Sequence, residues 1–249
     1  MQLKKEDFKK IYTGKTKDVY QYGEDKILLY TKDETTGWWK TDDQGQKYFV
    51  EDPGGNEVGP AVDGMGQKNL ITSVYYFNKL SEATIDNHFI DADIDANLML
   101  VKAGKVLGSG LECIIRYYAM GSLLRRFPDQ YTEGDVVENF FETTLKSDAD
   151  NDPPITKEEL AEENIISVDE YNQVATLCRK AADLIQADLQ ELDLTLVDIK
   201  FEVGKVDNKI ILIDEFSPGV MRVARGPVSA ANVLTEEELA EVLLNRINK

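Results

Sequence analysis

Apolar and polar residues alternate most regularly in one short stretch near the C-terminal end of the chain. The apolar positions are Val197, Ile199, Phe201 and Val203, and the polar positions between them are Asp198, Lys200 and Glu202. A period of two residues is typical of a half-buried strand. A polar turn at 204–209 and a second apolar run at 210–213 follow, so the pattern predicts a β-hairpin that ends at Asp214 and Glu215.

Short apolar runs in the N-terminal half predict further strands. Residues 11–20 have the pattern of a strand, a tight turn at Gly14 and a second strand. Further strands are predicted at 26–32, 88–90, 98–102 and 111–116. Residues 38–66 show no regular period, and we expect a long glycine-rich loop there. Such a loop acts as a lid or a binding loop, or it is an ordinary surface excursion anchored by Trp38 and Trp39.

Helical periodicity dominates much of the remaining chain. Apolar residues at helical spacing predict amphipathic helices over 67–80 and over 136–145. Capping boxes at Thr156, Ser167 and Thr235, each with a glutamate three residues later, predict the starts of three more helices. The layout is a β-rich N-terminal half followed by helices and a hairpin, which indicates an α+β fold.

Composition and charge narrow the functional classes. The formal net charge of -18 argues against a general nucleic-acid binder, whose footprint would be basic. A zinc site of Cys and His and a disulfide framework are both excluded, because the chain has one histidine, His88, and two cysteines, Cys113 and Cys178. We expect His88 at the surface or at a cap, and both thiols free and buried. No signal peptide or membrane-spanning run is evident, which favours the cytoplasm.

The predicted hairpin gathers charged side chains that suit a metal ion. Asp198, Lys200 and Glu202 share one face, and Asp214 comes alongside them at the end of the next strand. Two carboxylates about 4 Å apart repel by roughly 4 kcal/mol at an effective dielectric constant of about 20. A Mg²⁺ ion shared with nucleotide phosphates would offset this repulsion, since Mg²⁺ takes one or two carboxylates and keeps several waters. An exposed hairpin with a solvated charged face fits the same pattern.

Two groups of cationic or donor residues are candidates for binding anions. Gly14 followed by Lys15 and Lys17 lets the backbone approach a polyphosphate while both ammonium groups point the same way, although a solvated turn has the same sequence. No Walker motif occurs in the chain. Arg116 and Ser122 can both donate to a phosphate or a carboxylate, and a structural ion pair would explain Arg116 equally well.

Four motifs occur along the chain in the order YTGKTKDVY, LECIIRYYAMGS, LVDIKFEVG and IDEFSPGVMR. Together they resemble the SAICAR synthetase family, from Ile11 to about Arg225. The resemblance implies an α+β, two-lobed, ATP-grasp-like fold. Residues 1–108 would form a small antiparallel β-rich lobe with the glycine-rich loop. Residues 109–249 would form a larger α+β lobe with the metal hairpin, and ATP would lie in the cleft between the lobes.

The resemblance also implies a reaction and roles for individual residues. The carboxylate of carboxyaminoimidazole ribotide (CAIR) would be joined to the amine of L-aspartate with ATP, giving SAICAR, ADP and phosphate in purine biosynthesis. The expected ATP-binding residues are Lys15, Lys17 and Lys102. The expected substrate-binding residues are Arg116, Ser122 and Arg222. The expected Mg²⁺ ligands are Glu202 and Asp214. The expected catalytic cluster is Asp198, Lys200 and Asp214, with Asp198 as the candidate base for the amine.

Several substrate-side positions depart from the family pattern. The expanded region 38–66 replaces a short loop, Tyr117 stands where asparagine is usual, and Gly219 stands where an aspartate usually follows the Ser-Pro turn. The reaction type is therefore better defined than the acid and the amine. A ligase for another acid or amine, or a small-molecule kinase of related fold, are the alternatives. We expect CAIR, L-aspartate and ATP as partners, with no nucleic acid and no membrane, and the sequence allows a homodimer.

Overall fold

A computed structural model describes residues 3–147, 150 and 152–248. The strands of the described residues are, in chain order, β1 (Lys10–Thr13), β2 (Lys17–Tyr22), β3 (Lys26–Thr31), β4 (Glu34–Thr41), β5 (Lys47–Glu51), β6 (Glu57–Ala61), β7 (Phe89–Asp93), β8 (Leu98–Lys102), β9 (Lys105–Val106), β10 (Leu111–Tyr118), β11 (Val136–Leu145), β12 (Leu194–Val206), β13 (Lys209–Ile213) and β14 (Met221–Arg225). The α-helices are α1 (Met65–Glu82), α2 (Ser122–Arg126), α3 (Lys157–Glu162), α4 (Val168–Gln190) and α5 (Glu236–Ile247).

The strands form three sheets with antiparallel pairing between neighbours. The first has the order β1-β2-β3-β8-β7, and the second has the order β11-β10-β12-β13, with β9 and β14 also paired to β12. The third, the small sheet of residues 34–61, has the order β5-β4-β6. The fold is therefore a mixed α+β fold with antiparallel sheets. The long strand β12 is its centre, because four other strands pair with it.

The main hydrophobic core lies between the sheets and the long helices. On α4, Cys178, Ala182, Ile185 and Leu189 are all fully buried at helical spacing. The core cluster that contains them also includes Leu29 of β3 and Leu70 of α1. Burying each large aliphatic side chain contributes roughly 1.5–3 kcal/mol. Since one core contains residues from both sides of the predicted 108/109 boundary, that boundary stays a prediction.

The predicted helix at 136–145 is wrong, because these residues form strand β11. The strand pairs antiparallel with β10, with Leu145 opposite Leu111 and Phe141 opposite Ile115. Its valines, phenylalanines and threonines are residues that favour strands. The apolar spacing fits a helix as well as a strand. β10 pairs with β12 along one edge, and its other edge provides a partner for residues 136–145. Sequence periodicity does not show such a partner.

The predicted irregular loop at 38–66 is also wrong over most of its length. The small sheet is held by close backbone packing and by Trp39, whose ring lies 5.2 Å from that of Phe49. A Cβ at Gly59 would lie 2.3 Å from the Phe49 ring. A Cβ at Gly55 would lie 2.3 Å from the Cα of Gly37. The glycines that suggested a flexible loop are therefore required by the tight packing of a sheet.

Several other predictions are confirmed by the structure. The hairpin of β12 and β13 forms, the helix at 67–80 is α1, and all three capping boxes are present. Cys113 and Cys178 are buried free thiols, as expected. Among the described residues, no helix is both long enough and apolar enough to cross a bilayer.

Candidate active site

The centre of the site is a carboxylate that holds two arginines. Arg116 of β10 and Arg222 of β14 both lie opposite Asp198 of β12, one on each side. Arg116 Nη1 donates to Asp198 Oδ2 at 2.8 Å, and Arg222 Nη1 donates to the same oxygen at 2.6 Å. All three side chains are buried. The alternation that placed Asp198 on the polar face thus brings it between two strands that each carry an arginine.

Arg116 is also fixed by Glu142 of β11, which was not among the predicted site residues. Glu142 Oε1 accepts from Arg116 Nε at 2.8 Å and from its Nη2 at 2.6 Å. Arg116 Nη2 also donates to Ser122 Oγ at 2.8 Å, which brings the predicted pair Arg116 and Ser122 together. Arg126 pairs with the other oxygen of Glu142. The arginine is therefore both an anion-binding candidate and a buried ion-pair partner.

Arg222 connects the large sheet to the small sheet. Its Nη2 donates to Asp52 Oδ1 at 2.6 Å. Asp52 follows β5, and the same oxygen accepts from the backbone N–H of Gly54 at 2.8 Å, which closes a turn. The turn is thus held directly over the arginine. Asp52 was not predictable from the sequence, because residues 38–66 show no regular period.

Glu202 and Asp214 are close enough for their charges to interact, as the predicted metal site requires. Ile213 lies opposite Glu202 in the ladder, so a regular strand would place Asp214 on the other face. The backbone φ of Asp214 is instead 72°, a left-handed conformation that is unusual for a residue other than glycine. Burial and the negative charge of Asp214 raise the pKa of Glu202. Among the described residues, no group of three or more His, Cys, Asp or Glu side chains is placed to hold a metal ion.

Lysines surround this pair of carboxylates. Lys17 Nζ lies 3.1 Å from Asp214 Oδ1 and also pairs with Glu215. Burial works against the charge of Lys17, but Asp214 and Glu215 outweigh it and raise the pKa of Lys17. Burial would likewise raise the pKa of Asp214, but Lys17 and Lys146 lower it to about 2. Lys146, just after β11, pairs with Glu202 and was not identified from the sequence. The cluster therefore has nearby cations for both carboxylates.

The remaining predicted residues lie around these two clusters. Lys200 Nζ donates to Glu112 Oε1 at 2.9 Å. Glu112 lies on β10, directly opposite Glu202 of β12. Lys15 Nζ donates to Asn56 Oδ1 at 3.1 Å, so it reaches the small sheet. Lys102 is exposed at the end of β8, opposite Lys26, and its predicted contact with the nucleotide base stays a prediction.

His88 is not at the surface, contrary to expectation. It is 3% exposed, and its Nε2 lies 3.2 Å from the backbone oxygen of Asp214. Burial lowers the pKa of His88 to about 4, although the charge of Asp214 opposes this shift. The histidine therefore supports the unusual backbone at Asp214 from behind. Its position depends on contacts between distant segments, which a single sequence does not show.

A cavity of about 600 Å³ lies between the small sheet and the second sheet. Its walls include Asp52 and Lys40 from the small sheet, and Arg116, Asp198 and Lys200 from the second sheet. Asp198 with its two arginines and Lys200, two residues further along β12, therefore line one cavity. For a chain of net charge -18, this concentration of arginine and lysine indicates a site for an anionic ligand.

Comparison with known proteins agrees with this arrangement. The sequence model of the SAICAR synthetase family matches residues 56–227. A phosphoribosylaminoimidazole-succinocarboxamide synthase of Clostridium tetani is 41% identical over 214 residues, which covers 85% of this chain and 90% of that protein. A structure of SAICAR synthetase in complex with ADP is similar with a TM-score of 0.76 at 26% identity, covering 95% of both chains. SAICAR synthetase from Pyrococcus horikoshii OT3 has a TM-score of 0.76 at 26% identity, covering 93% of this chain and 97% of that one. The chain therefore belongs to the SAICAR synthetase family.

Proposed function

We propose that the chain is an ATP-dependent ligase that joins the carboxylate of CAIR to the amine of L-aspartate, giving SAICAR, ADP and phosphate. One observation carries the proposal. A single face of β12 presents Asp198 with its two arginines and, four residues later, Glu202 beside Asp214. At about 3.3 Å per residue the two clusters are roughly 13 Å apart along the strand. That separation leaves room for a ribose and an imidazole between a bound phosphate and a reacting carboxylate.

The relatives support the same activity. The Clostridium tetani relative bears the name of this synthase, and a similar solved structure holds ADP. We infer that ATP lies in a cleft between an N-terminal and a C-terminal lobe, in an ATP-grasp-like arrangement. In support, Lys17 of the first sheet reaches Asp214 and Glu215 at the end of β13 in the second.

A cytoplasmic location and a homodimer belong to the proposal as well, and size-exclusion chromatography tests the dimer.

Glu202 and Asp214 fit Mg²⁺ as a donor set. Both supply oxygen and both are partly buried. Mg²⁺ takes one or two protein carboxylates when phosphates and waters complete its shell. Bound there, Mg²⁺ would neutralise charge on the ATP phosphates. Lys17 and Lys146 pair with these carboxylates, so two ammonium groups would lie beside the phosphates of an ATP bound there.

In the proposed reaction, some side chains neutralise charge on the phosphoryl group and others position the substrate. A carboxylate does not react with an amine at neutral pH, because it is a poor electrophile with a poor leaving group. ATP converts it to an acyl phosphate, and the amine displaces phosphate. Lys15, Lys17 and Lys200 neutralise charge on the transferred phosphoryl group. Arg116, Ser122 and Arg222 hold the ribotide, and positioning of this kind can supply on the order of 7–11 kcal/mol of the barrier.

Asp198 has a different part in this proposal from the one the sequence suggested. Its Oδ2 accepts hydrogen bonds from both Arg116 and Arg222, so this oxygen is already occupied. We assign Asp198 the orientation of the two guanidinium groups. The base that accepts the proton of the amine is then a separate group.

An ADP-release assay tests the proposed function. We expect ADP formation that needs CAIR, L-aspartate, ATP and Mg²⁺ together, with SAICAR identified by mass spectrometry. Omitting each substrate in turn gives the controls. Turnover with CAIR replaced by another acid would point to a different ligase, and ADP formation that needs no amine and yields a phosphorylated alcohol would point to a kinase. Either result would overturn the proposal.

A further inference from the structure

A largely buried glutamate lies beside the site and has no part in the steps above. Glu236 is the first residue of α5, and its Oε1 accepts from Asn69 Nδ2 of α1 at 2.6 Å. A Cβ built on Gly219 would lie 2.9 Å from the same Oε1. The carboxyl group of Glu236 therefore packs directly against the backbone of the turn that follows Ser217.

The surroundings of Glu236 connect it to both clusters of the site. Its backbone N–H donates to Glu51 Oε2 at 3.2 Å, and Glu51 directly precedes Asp52, the partner of Arg222. The charges of Glu215 and Lys17 also act on Glu236. Nearby on the outer side, Lys68 of α1 pairs with Glu237 at 2.9 Å. Glu236 thus lies near Lys17 and next to the turn at Asp52 that covers Arg222.

Beside Glu236 lies a buried polar atom of Asn69, on α1. Asn69 is 5% exposed, and its Oδ1 has no hydrogen-bond partner among the described residues. Its Nδ2 is bound to Glu236, so the unpaired oxygen belongs to an amide group already anchored at this carboxyl. Buried polar atoms are almost always hydrogen-bonded, so an unpaired one calls for a ligand or another explanation.

The chemistry of the place favours an ammonium group. The groups available to a ligand, Asn69 Oδ1 and the carboxyl oxygens of Glu236, accept hydrogen bonds. Glu236 is flanked by the carboxyl groups of Glu51 and Glu215 and by the ammonium group of Lys17, so acidic groups outnumber basic ones among the charges that act on it. A ligand with several N–H donors and a positive charge satisfies both the unpaired oxygen and the excess of carboxylates. A hydroxyl offers one donor and no charge, and a phosphate would be repelled.

We propose that Glu236 and Asn69 form the subsite for the amine of L-aspartate, and that Glu236 accepts the proton which this amine must lose. The inference rests on the proposed function and deepens it. Burial raises the pKa of Glu236 to about 7, with Glu215 and Glu51 adding to the rise and Asn69 opposing it. A base with such a pKa is effective at neutral pH.

The step balances in atoms and charge. The ammonium passes one proton to the Glu236 carboxylate, and the nitrogen lone pair forms the C–N bond to the acyl carbon. The C–O bond to the phosphoryl group breaks, and phosphate leaves with the electron pair. The second proton of the nitrogen goes to that phosphate, which departs as the hydrogen phosphate dianion, and Glu236 releases its proton to solvent. The products are the amide, hydrogen phosphate and one proton.

Gly219 gives the inference a specific test. A Cβ at this position would lie 2.9 Å from Glu236 Oε1, so a side chain at 219 would point at the Glu236 carboxyl group. The carboxyl group of Glu236, on α5, thus lies where a side chain at 219 would extend. An aspartate at 219 should therefore take over the role of the Glu236 carboxylate. The backbone φ of Gly219 is outside the left-handed region, so the backbone there accepts an aspartate.

The experiment measures ADP release by wild type, Glu236→Gln, Glu236→Ala and the double variant Gly219→Asp with Glu236→Ala. We expect Glu236→Gln to raise the KM for L-aspartate at least tenfold, to leave the KM for ATP within twofold, and to remove the ionisation near pH 7 from the profile of kcat/KM for L-aspartate. The double variant should recover at least tenfold over Glu236→Ala. Glu237→Gln, next along α5 and half exposed, is the matched control and should behave as wild type.

Hydroxylamine separates this step from the rest of the reaction. It is a neutral nucleophile at pH 7 and traps an acyl phosphate without needing a base, so Glu236→Gln should still form hydroxamate from CAIR and ATP at near the wild-type rate. Equal loss of hydroxamate and of ligation, or an unchanged KM and pH profile, would overturn the inference. If wild type itself shows no aspartate-dependent ADP release, it is the proposed function that fails.

Discussion

The guanidinium of Arg222 donates to Asp52 at 2.6 Å and so joins the second sheet to the small sheet across the cavity. The other nitrogen of the same guanidinium donates to Asp198. Arg116, Arg126 and Arg222 are balanced here by Asp52, Glu142 and Asp198. Because the cluster is already neutral, an incoming phosphate must compete with a carboxylate for the arginines. Asp52 is the most exposed of the three carboxylates.

We therefore expect Asp52→Asn to lower the KM for the ribotide. A hydrogen bond to a charged group contributes about 1.5–3 kcal/mol, which corresponds to a factor of roughly 10–150 in affinity, so removing the competing charge should strengthen phosphate binding by roughly tenfold or more. Steady-state kinetics with varied CAIR at fixed ATP and L-aspartate measures the effect. Asp43→Asn, in the exposed turn of the same sheet, is the control. A higher KM for CAIR would mean that Asp52 helps to bind the ribotide instead of competing with it.

Glu202→Gln should remove most of the Mg²⁺-dependent turnover. The amide keeps the shape of the side chain but is a far weaker ligand for a hard cation. We expect a loss of roughly 100-fold in kcat and a higher Mg²⁺ concentration for half-maximal activity. Magnesium titrations of ADP release measure both, with circular dichroism to verify the fold. Glu162→Gln, exposed on α3, should leave the titration unchanged. Full activity of Glu202→Gln would remove the metal assignment.

The site was predictable from sequence where its chemistry is local. The alternation around Asp198 placed its polar neighbours on one face, and the structure brings that face to the cavity. Partners from distant segments were not predictable. Lys17 and Glu215 are separated by 198 positions, and nothing in either segment specifies the other.

Glu142 and Lys146 were missed for a different reason. They lie at alternate positions with Thr144, a period of two that a strand would have explained. The helical interpretation of 136–145 concealed this period, because the apolar residues there fit both spacings. Treating the segment as the neighbour of the 111–116 strand would have placed Glu142 near Arg116.

Glu142→Ala should destabilise the protein strongly. It leaves Arg116, which is 2% exposed, without its two-point partner, and breaking a buried ion pair from one side costs about 3–5 kcal/mol. Urea denaturation followed by tryptophan fluorescence and by circular dichroism measures the free energy of unfolding. Glu138→Ala, exposed on the same strand, should change it by less than about 0.5 kcal/mol. Equal effects of the two substitutions would show that Glu142 contributes no more than an exposed strand residue.

Glu236 should make the stability of the protein depend on pH in a direction opposite to that of most carboxylates. Its pKa in the folded chain is about 7, above the ordinary value of 4.5, because burial disfavours the charged form. Between these values the folded state binds more protons than the unfolded state. The stabilisation is therefore complete below about pH 4.5 and is lost as the pH rises through about 7. We expect the free energy of unfolding of wild type to fall by on the order of 2 kcal/mol relative to Glu236→Gln between about pH 5 and about pH 8. Urea denaturation of both proteins across this range, with Glu237→Gln as the control, measures the difference. Parallel curves for wild type and Glu236→Gln would show that the carboxyl group titrates normally, since a glutamine cannot titrate at all.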